Sequence, residues 1–169
     1  MTHEAIREIA RALAAQKVEY LVVGGVAAIA HGVPRNTFDI DLVIRLNPEN
    51  VRRAFDALRG IGYLPRVPVT AEGFGDQEMR EGWIRDKNMV VLNFHSDRFR
   101  ETQLDVFVSE PFPFSETLAR AVVDRFQDGT ELRIVDIGTL IRMKEQAGRP
   151  HDLEDVERLR EIKGRHEQG

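Results

Sequence analysis

The stretch of residues 24–44, GGVAAIAHGVPRNTFDIDLVI, constrains this chain more than any other. An apolar, β-branched run at 18–23 precedes the two glycines, and this pattern predicts a buried strand that ends in a tight turn. One or two turns of apolar helix are predicted over 26–31, because Pro34 prevents the helix from continuing. Residues 38–46 then predict a second strand.

This second strand carries two aspartates on one face. Alternate side chains of a strand point to the same side of the sheet, so Asp39 and Asp41 share a side that their apolar neighbours avoid. Two carboxylates at this spacing are costly in a cleft unless a cation lies beside them. The competing interpretation is the solvated outer face of an edge strand, because D-x-D pairs are frequent.

Asp105 makes the cation interpretation stronger. It lies in QLDVFV, residues 103–108, whose alternation of apolar residues predicts another strand. If this strand lies beside the one that carries Asp39 and Asp41, three carboxylates share a sheet face. Mg²⁺ or Mn²⁺ bound there would suit phosphoryl or nucleotidyl transfer.

The two glycines, Gly24 and Gly25, allow two interpretations. Glycines between a strand and a helix leave backbone N–H groups open to a phosphate, since no Cβ intrudes. A plain strand-to-helix turn explains the pair equally well. Their functional interest comes from their position shortly before the two aspartates.

Composition limits the class of protein. A chain of 169 residues with 42% hydrophobic and 31% charged residues predicts a single globular domain over 1–169. It contains no cysteine, which favours a reducing compartment, and neither a signal peptide nor an apolar run of about 20 residues is recognised. We therefore expect a cytoplasmic protein without a membrane partner. The net charge of −4 argues weakly against a broad nucleic-acid surface.

The remaining pattern predicts further helices, strands and one long loop. Helices are expected over 3–16, with Thr2 as N-cap, from Pro48 to about residue 60, and over 115–120 with Ser115 as cap. A strand over 88–95 and a hairpin of 122–126 with 131–135 are expected. Residues 65–82 predict a loop with at most one helical turn. Trp83 is expected to anchor either the core or a lid.

Two helices end the predicted fold. Asp136 is expected to cap the first, and the sequence at 148–150 separates it from the second, whose tail should fray after Lys163. Lys144 falls on the apolar side of the first helix. Its stem could pack while the ammonium reaches water, or the ammonium could point at phosphates.

Charges at the start of the last helix also allow two interpretations. Asp152 and Asp155 suit the first turn of a helix electrostatically, without any further role. Arg149 is either a phosphate ligand or a charge at a helix end.

Taken together, these segments resemble the nucleotidyltransferase superfamily of DNA polymerase beta type. More narrowly, they are similar to a small prokaryotic branch related to the AbiE toxin nucleotidyltransferases of abortive infection. The second glycine takes the place of the serine common in the wider superfamily. The resemblance rests on three segments, at 24–44, 103–108 and 140–159.

The resemblance implies a fold and a set of roles. The fold is α+β, a mixed β-sheet with helices packed mainly on one face and two C-terminal helices. Asp39, Asp41 and Asp105 would bind Mg²⁺ or Mn²⁺ and act in catalysis together with Lys144. The residues that would bind the nucleotide are Gly24, Gly25, Arg35, Thr37, Lys144, Arg149 and Asp152.

The first hypothesis is a Mg²⁺-dependent nucleotidyltransferase that moves a nucleoside monophosphate from a nucleoside triphosphate to a hydroxyl of RNA, tRNA or protein. It would belong to a toxin–antitoxin or phage-defence system with a cognate partner. The alternative is a weakly active or inactive nucleotide-binding antitoxin or regulatory partner of the same fold. A phosphatase with an aspartate nucleophile fits poorly, because an apolar run follows these acids and glycines precede them.

Overall fold

The computed structural model describes residues 1–169 as eight helices and seven strands. No helix combines the length and the apolar character that crossing a bilayer requires. The strands are β1 (Tyr20–Val23), β2 (Asp39–Ile44), β3 (Tyr63–Pro65), β4 (Val91–Ser96), β5 (Gln103–Phe107), β6 (Val122–Arg125) and β7 (Glu131–Ile134). The helices are α1 (His3–Ala15), α2 (Gly24–Ala30), α3 (Pro48–Gly60), α4 (Ala71–Gly75), α5 (Gln77–Lys87), α6 (Phe114–Ala119), α7 (Ile137–Ala147) and α8 (Pro150–Gln168).

All seven strands form one mixed sheet in the order β3-β4-β5-β2-β1-β7-β6. The β2–β5 and β1–β7 pairs are parallel, and the other neighbours are antiparallel. The predicted α+β fold with a mixed sheet is therefore confirmed. The predicted hairpin is also confirmed, since β6 pairs antiparallel with β7.

The centre of the sheet brings the acidic strands together. In the parallel β2–β5 pair, Asp41 lies opposite Asp105, and on the other side of β2 it lies opposite Val23 of β1. Residues directly opposite each other in a ladder share a face of the sheet. The expected adjacency of the two acidic strands is confirmed by this register.

The opposite face of the sheet is apolar and packs against helices. Ile40, Leu104 and Phe94 lie in register across β2, β5 and β4, and each is buried. Phe55 of α3 meets Phe94 edge to face, with ring centroids 5.4 Å apart. Burial of this face fixes the strand register, because a one-residue slip would turn the aspartates into the core.

Helix ends follow the local signals in the sequence. The side chain of Thr2 accepts a hydrogen bond from the N–H of Ala5, and Asp136 does the same for the N–H of Thr139. Pro48 begins α3 in the first turn after Asn47. Gly148 ends α7 with a left-handed φ of +64°, a conformation that glycine adopts without strain.

The predicted loop at 65–82 is wrong, because two helices, α4 and α5, occupy most of it. Thr70 and Asp76 cap them through hydrogen bonds from backbone N–H groups. Of the α5 residues only Arg80 is buried, so this helix lacks the apolar period that would have predicted it. Trp83 is partly buried against the core and stacks on Phe74, as a core anchor.

Three smaller expectations are also corrected. The short strand β3 was not predicted. Helix α6 begins at Phe114 after Pro113, so Ser115 lies inside the helix and does not cap it. Helix α8 continues to Gln168 and does not fray after Lys163; charged pairs at i, i+4, such as Lys163 with Glu167, line its last turns.

Substitution of Phe74 tests the packing of the segment that sequence analysis missed. Phe74 is fully buried, with Phe55 at 5.5 Å and Trp83 at 6.4 Å between ring centroids. We expect Phe74→Ala to lower the free energy of unfolding by about 3–5 kcal/mol, measured by urea denaturation. The fluorescence of Trp83, the single tryptophan, should change as well.

Met79→Ala is the matched control, because Met79 belongs to the same segment and is 47% exposed. Its unfolding free energy should stay within about 0.5 kcal/mol of the parent. A similarly small loss for Phe74→Ala would contradict the packing described for α4 and α5.

Candidate active site

A cleft of about 630 Å³ lies between the acidic face of the sheet and the helices α7 and α8. This volume falls in the range of pockets that bind small molecules and cofactors. Every site residue singled out from the sequence lines it: Gly24, Gly25, Arg35, Thr37, Asp39, Asp41, Asp105, Lys144, Arg149 and Asp152. The structure therefore brings these residues together, while their roles stay predictions.

The three carboxylates on the sheet side of the cleft interact electrostatically. Burial, followed by the charges of Asp105 and Asp39, raises the pKa of Asp41 to about 7. Burial also raises the pKa of Asp105, although a hydrogen bond of 2.6 Å from Asn93 Nδ2 to its Oδ1 opposes that shift. A cation or a proton near these carboxylates would relieve the repulsion between them.

The acidic face has the donor chemistry of a divalent-cation site without forming a closed cage. No three acidic or histidine side chains are arranged as a ready-made metal cluster. Mg²⁺ beside nucleotides is commonly held by one or two carboxylates, with substrate phosphates and water completing its octahedron. Asp39, Asp41 and Asp105 fit a cation of that kind, because they supply hard oxygen ligands on one face.

The two glycines allow side chains to approach the backbone closely. Gly24 has a φ of +67°, and a Cβ there would overlap the carboxylate of Asp41, whose Cγ would be 2.8 Å away. A Cβ on Gly25 would lie 2.7 Å from Thr37 Oγ1. The glycine pair is thus required for the packing of Asp41 and Thr37, a reason that the sequence did not disclose.

An ionic network centred on the buried side chain of Lys144 forms the opposite wall of the cleft. Lys144 is only 5% exposed, and its Nζ donates to Asp155 Oδ2 at 2.8 Å and lies 3.5 Å from Asp152 Oδ1. Its ammonium therefore does not reach bulk water. Arg149 Nε pairs with Asp152 Oδ2 at 2.7 Å, and Arg35 pairs with Asp155. Three cations meet two carboxylates, so the network keeps a net positive charge.

This wall acts on the acidic face across the cleft. The charges of Lys144 and Arg149 both lower the pKa of Asp41, although not enough to offset its burial and its acidic neighbours. Hydrogen bonding from Arg149 helps to lower the pKa of Asp152, against the effect of burial. The cleft therefore holds separated positive and negative walls, an arrangement suited to a polyanion bound together with a cation.

Two residues beside the site were missed as functional candidates. Asp155 was interpreted only as a first-turn acid, yet its three-residue spacing from Asp152 places both acids on the α8 face that meets Lys144. Asn93 gave no sequence signal. Its hydrogen bond to Asp105 follows from the β4–β5 register, which local patterns do not specify.

The cleft continues into an apolar part beside Asp105. Phe107 lies two residues beyond Asp105 on the same face of β5 and opposite Val91 of β4. Val90, which precedes Val91, is 63% exposed. Apolar residues in the lining of the cleft include Val90, Val91 and Phe107 on the side of β4 and β5, Leu140 and Met143 on α7, and Pro111. A ligand with both charged and apolar portions therefore suits the whole cleft.

Comparison of the sequence with protein-family models finds no match, and comparison with curated proteins finds none. The fold, in contrast, matches solved structures. The lincosamide antibiotic adenylyltransferase LnuA, with lincomycin bound, aligns with a TM-score of 0.63 at 14% identity, over 96% of this chain and 98% of LnuA.

Two further solved structures are similar. TM1012 of Thermotoga maritima, a proposed nucleotidyltransferase, gives a TM-score of 0.57 at 14% identity, over 96% of this chain and 92% of its own. ANT(2'')-Ia in complex with adenylyl-2''-tobramycin gives 0.52 at 12% identity, over 98% and 96%. These similarities show that the chain has the nucleotidyltransferase fold.

Stability should depend on pH through Asp41. Its pKa is near 7 in the fold, against 3.8 for an unperturbed aspartate, so the folded chain binds more protons between these values. The free energy of unfolding in metal-free buffer should therefore fall as pH rises from about 4 to 7 and level off above that. Asp105, whose pKa is also raised, contributes with the same sign.

Asp41→Asn should flatten this decline, as measured by urea denaturation at several pH values. Asp86→Asn is the control, because Asp86 is an exposed acid that does not line the cleft. An equal decline in Asp41→Asn and the parent chain would contradict the pKa given for Asp41.

Gly24→Ala should disturb the carboxylate of Asp41 as well as the backbone. Gly129→Ala provides the control, because Gly129 has a φ of +86° but nothing within 4 Å of a Cβ. Left-handed strain alone should cost Gly129→Ala about 1 kcal/mol of unfolding free energy. Gly24→Ala should lose more and should also weaken Mn²⁺ binding. Equal losses of unfolding free energy in the two variants would show that the carboxylate of Asp41 does not exclude a side chain at residue 24.

Proposed function

We propose that this chain is a divalent-metal-dependent nucleotidyltransferase that moves a nucleoside monophosphate from a nucleoside triphosphate to an acceptor hydroxyl. One observation carries the proposal. Asp39, Asp41 and Asp105 line one side of a cleft whose other side holds buried Lys144 and its ionic partners. This arrangement occurs on a nucleotidyltransferase fold.

The acidic face would hold the metal and the reacting end of the substrate. Asp39, Asp41 and Asp105 would be the protein ligands. Bound Mg²⁺ or Mn²⁺ would neutralise phosphate oxygens and the charge that develops on leaving pyrophosphate. The β2–β5 pairing keeps these carboxylates in place before substrate arrives, so little reorganisation is needed.

The cationic wall would bind the phosphates. Arg35 and Arg149 line the cleft and can present guanidinium N–H groups to phosphate oxygens, as bidentate donors do. Lys144 would supply positive charge from a dry position, where charge is weakly screened. Gly25 and Thr37 would border the same phosphates. Asp152 would contribute to nucleotide binding indirectly, because it holds Lys144 and Arg149 in place.

Transfer requires an attacking oxygen and a base. The acceptor oxygen would attack the α-phosphorus in line while the bond to the bridging oxygen breaks and pyrophosphate leaves. Asp105 is the candidate that takes the hydroxyl proton, because its pKa is raised and Asn93 fixes one of its oxygens. A base of raised pKa accepts a proton more readily.

The acceptor class has two sources of support. The sequence resemblance to AbiE-type toxins favours tRNA, other RNA or a protein, within a toxin–antitoxin or phage-defence pair. The similarity to LnuA and ANT(2'')-Ia, whose structures contain lincomycin and adenylyl-2''-tobramycin, favours a small hydroxylated molecule. The apolar part of the cleft beside Asp105 suits a compact acceptor better than an extended polyanion.

A second candidate is a nucleotide-binding regulatory or antitoxin partner with little turnover. One observation favours it: the carboxylates do not form a ready-made metal cluster. In that case nucleotide would bind without transfer.

Transfer can be tested with α-labelled nucleoside triphosphates, Mg²⁺ or Mn²⁺, and three acceptor groups: tRNA, protein and hydroxylated small molecules. We expect one group to become labelled while pyrophosphate appears. Asp41→Asn should reduce labelling to background, because a cation ligand is lost. Asp86→Asn is the control and should retain the parent rate.

The outcomes separate the two candidates. A nucleoside triphosphate at about 100 times its Kd should stabilise the fold by about 2.7 kcal/mol, and this is measured as a rise in melting temperature. A shift without transfer to any acceptor would favour the regulatory protein. Equal labelling by Asp41→Asn and the parent would reject the proposed active site.

A further inference from the structure

We propose that Asp155 is a positioning residue for nucleotide binding, because it joins the loop that carries Arg35 to the buried ammonium of Lys144. This inference rests on the proposed function and assigns a role in it to a residue outside the cleft. Asp155 is 4% exposed and does not line the cleft, so it would act through other side chains.

One carboxylate oxygen of Asp155 forms ion pairs with two cationic side chains. Its Oδ2 accepts from Lys144 Nζ at 2.8 Å and also pairs with Arg35 Nη1. Lys144 has Asp152 as another partner at 3.5 Å, but Arg35 has no other acid within ion-pair distance. Removal of the Asp155 charge would leave two cations close together in a buried place, where their repulsion is weakly screened.

Asp155 belongs to a stripe on α8 that meets the loop at 32–37. Arg158 Nη1 donates to the carbonyl oxygen of Pro34 at 3.3 Å. Ile162 Cδ1 lies 3.6 Å from the place of a Cβ on Gly32. Positions 155, 158 and 162 follow the i, i+3, i+7 spacing of one helix face. Helix α8 therefore bonds the loop at Pro34 and Arg35 and lies beside it at Gly32.

This contact matters because residues 34–37 make no backbone–backbone hydrogen bonds to the rest of the chain, whereas Val33 is buried and its N–H donates to the carbonyl oxygen of Ala28. No helix or strand includes 32–37, and within the loop Arg35 has one side-chain hydrogen bond, from its Nε to the carbonyl oxygen of Asn36 at 3.3 Å. The same loop carries Thr37, which packs on Gly25. The position of Arg35 in the cleft therefore depends on α8, whereas Asp39 and Asp41 depend on β2.

The test compares Asp155→Asn with Glu154→Gln, which makes the same charge change at an exposed neighbouring position on α8. Equilibrium binding of ATP with Mg²⁺ should weaken about tenfold in Asp155→Asn, the effect of losing one charge-assisted hydrogen bond. Binding of Mn²⁺ alone, followed by electron paramagnetic resonance, should change by less than about twofold. Glu154→Gln should match the parent in both measurements.

A double-mutant cycle with Arg35→Gln separates positioning from general destabilisation. If Asp155 acts through Arg35, the loss of ATP affinity in the double variant should be at least about threefold smaller than the product of the two single losses. Losses that simply multiply would overturn the inference. So would an Asp155→Asn variant that binds ATP as tightly as the parent.

If Asp155→Asn does not fold, Asp155→Glu decides the matter. It keeps the charge but moves the carboxylate by one methylene, so ATP affinity should still fall by at least about threefold. Unchanged affinity would overturn the positioning role. A parent chain that binds none of ATP, GTP, CTP and UTP would overturn the proposed function, and this inference with it, whereas a parent that binds one of them as tightly as its variants do would overturn this inference alone.

Discussion

Repulsion among the carboxylates of Asp39, Asp41 and Asp105 is the interaction on which the arrangement of this protein depends. The parallel β2–β5 pair places Asp41 opposite Asp105, and partial burial weakens the screening of their charges by water. The pKa of Asp41 is raised to about 7 as a result. Without a cation, the fold would gain stability by protonating or separating these groups, yet the sheet holds them together.

The C-terminal helices supply part of the compensating charge. Burying Lys144 with Asp152 and Asp155 has a desolvation cost, and pairs of this kind are weak sources of stability. These ion pairs matter because of where they place charge. The network holds positive charge across the cleft from the acidic sheet face, and it ties α8 to the loop at 32–37 through Asp155 and Arg158.

Agreement between sequence and structure is best where the signals are local and strong. Alternation in β2 placed Asp39 and Asp41 on one face, and capping residues such as Thr2 and Asp136 marked helix starts. Agreement fails at α4 and α5, where stability comes from Phe74 and Trp83 packing and not from an amphipathic period. A long-range contact of that kind has no signature in a short window of sequence.

By itself, the sequence determined which side chains share a strand face, where helices begin, and which short segments carry the candidate chemistry. These properties depend on backbone periodicity and on interactions between residues a few positions apart. Tertiary structure alone decided that Asp105 lies beside Asp41, that Gly24 makes room for a carboxylate, and that Asp155 bonds Arg35 across 120 residues of chain. The physical reason is that strand register and buried ion pairing are set by the packing of the whole core, which no local segment specifies.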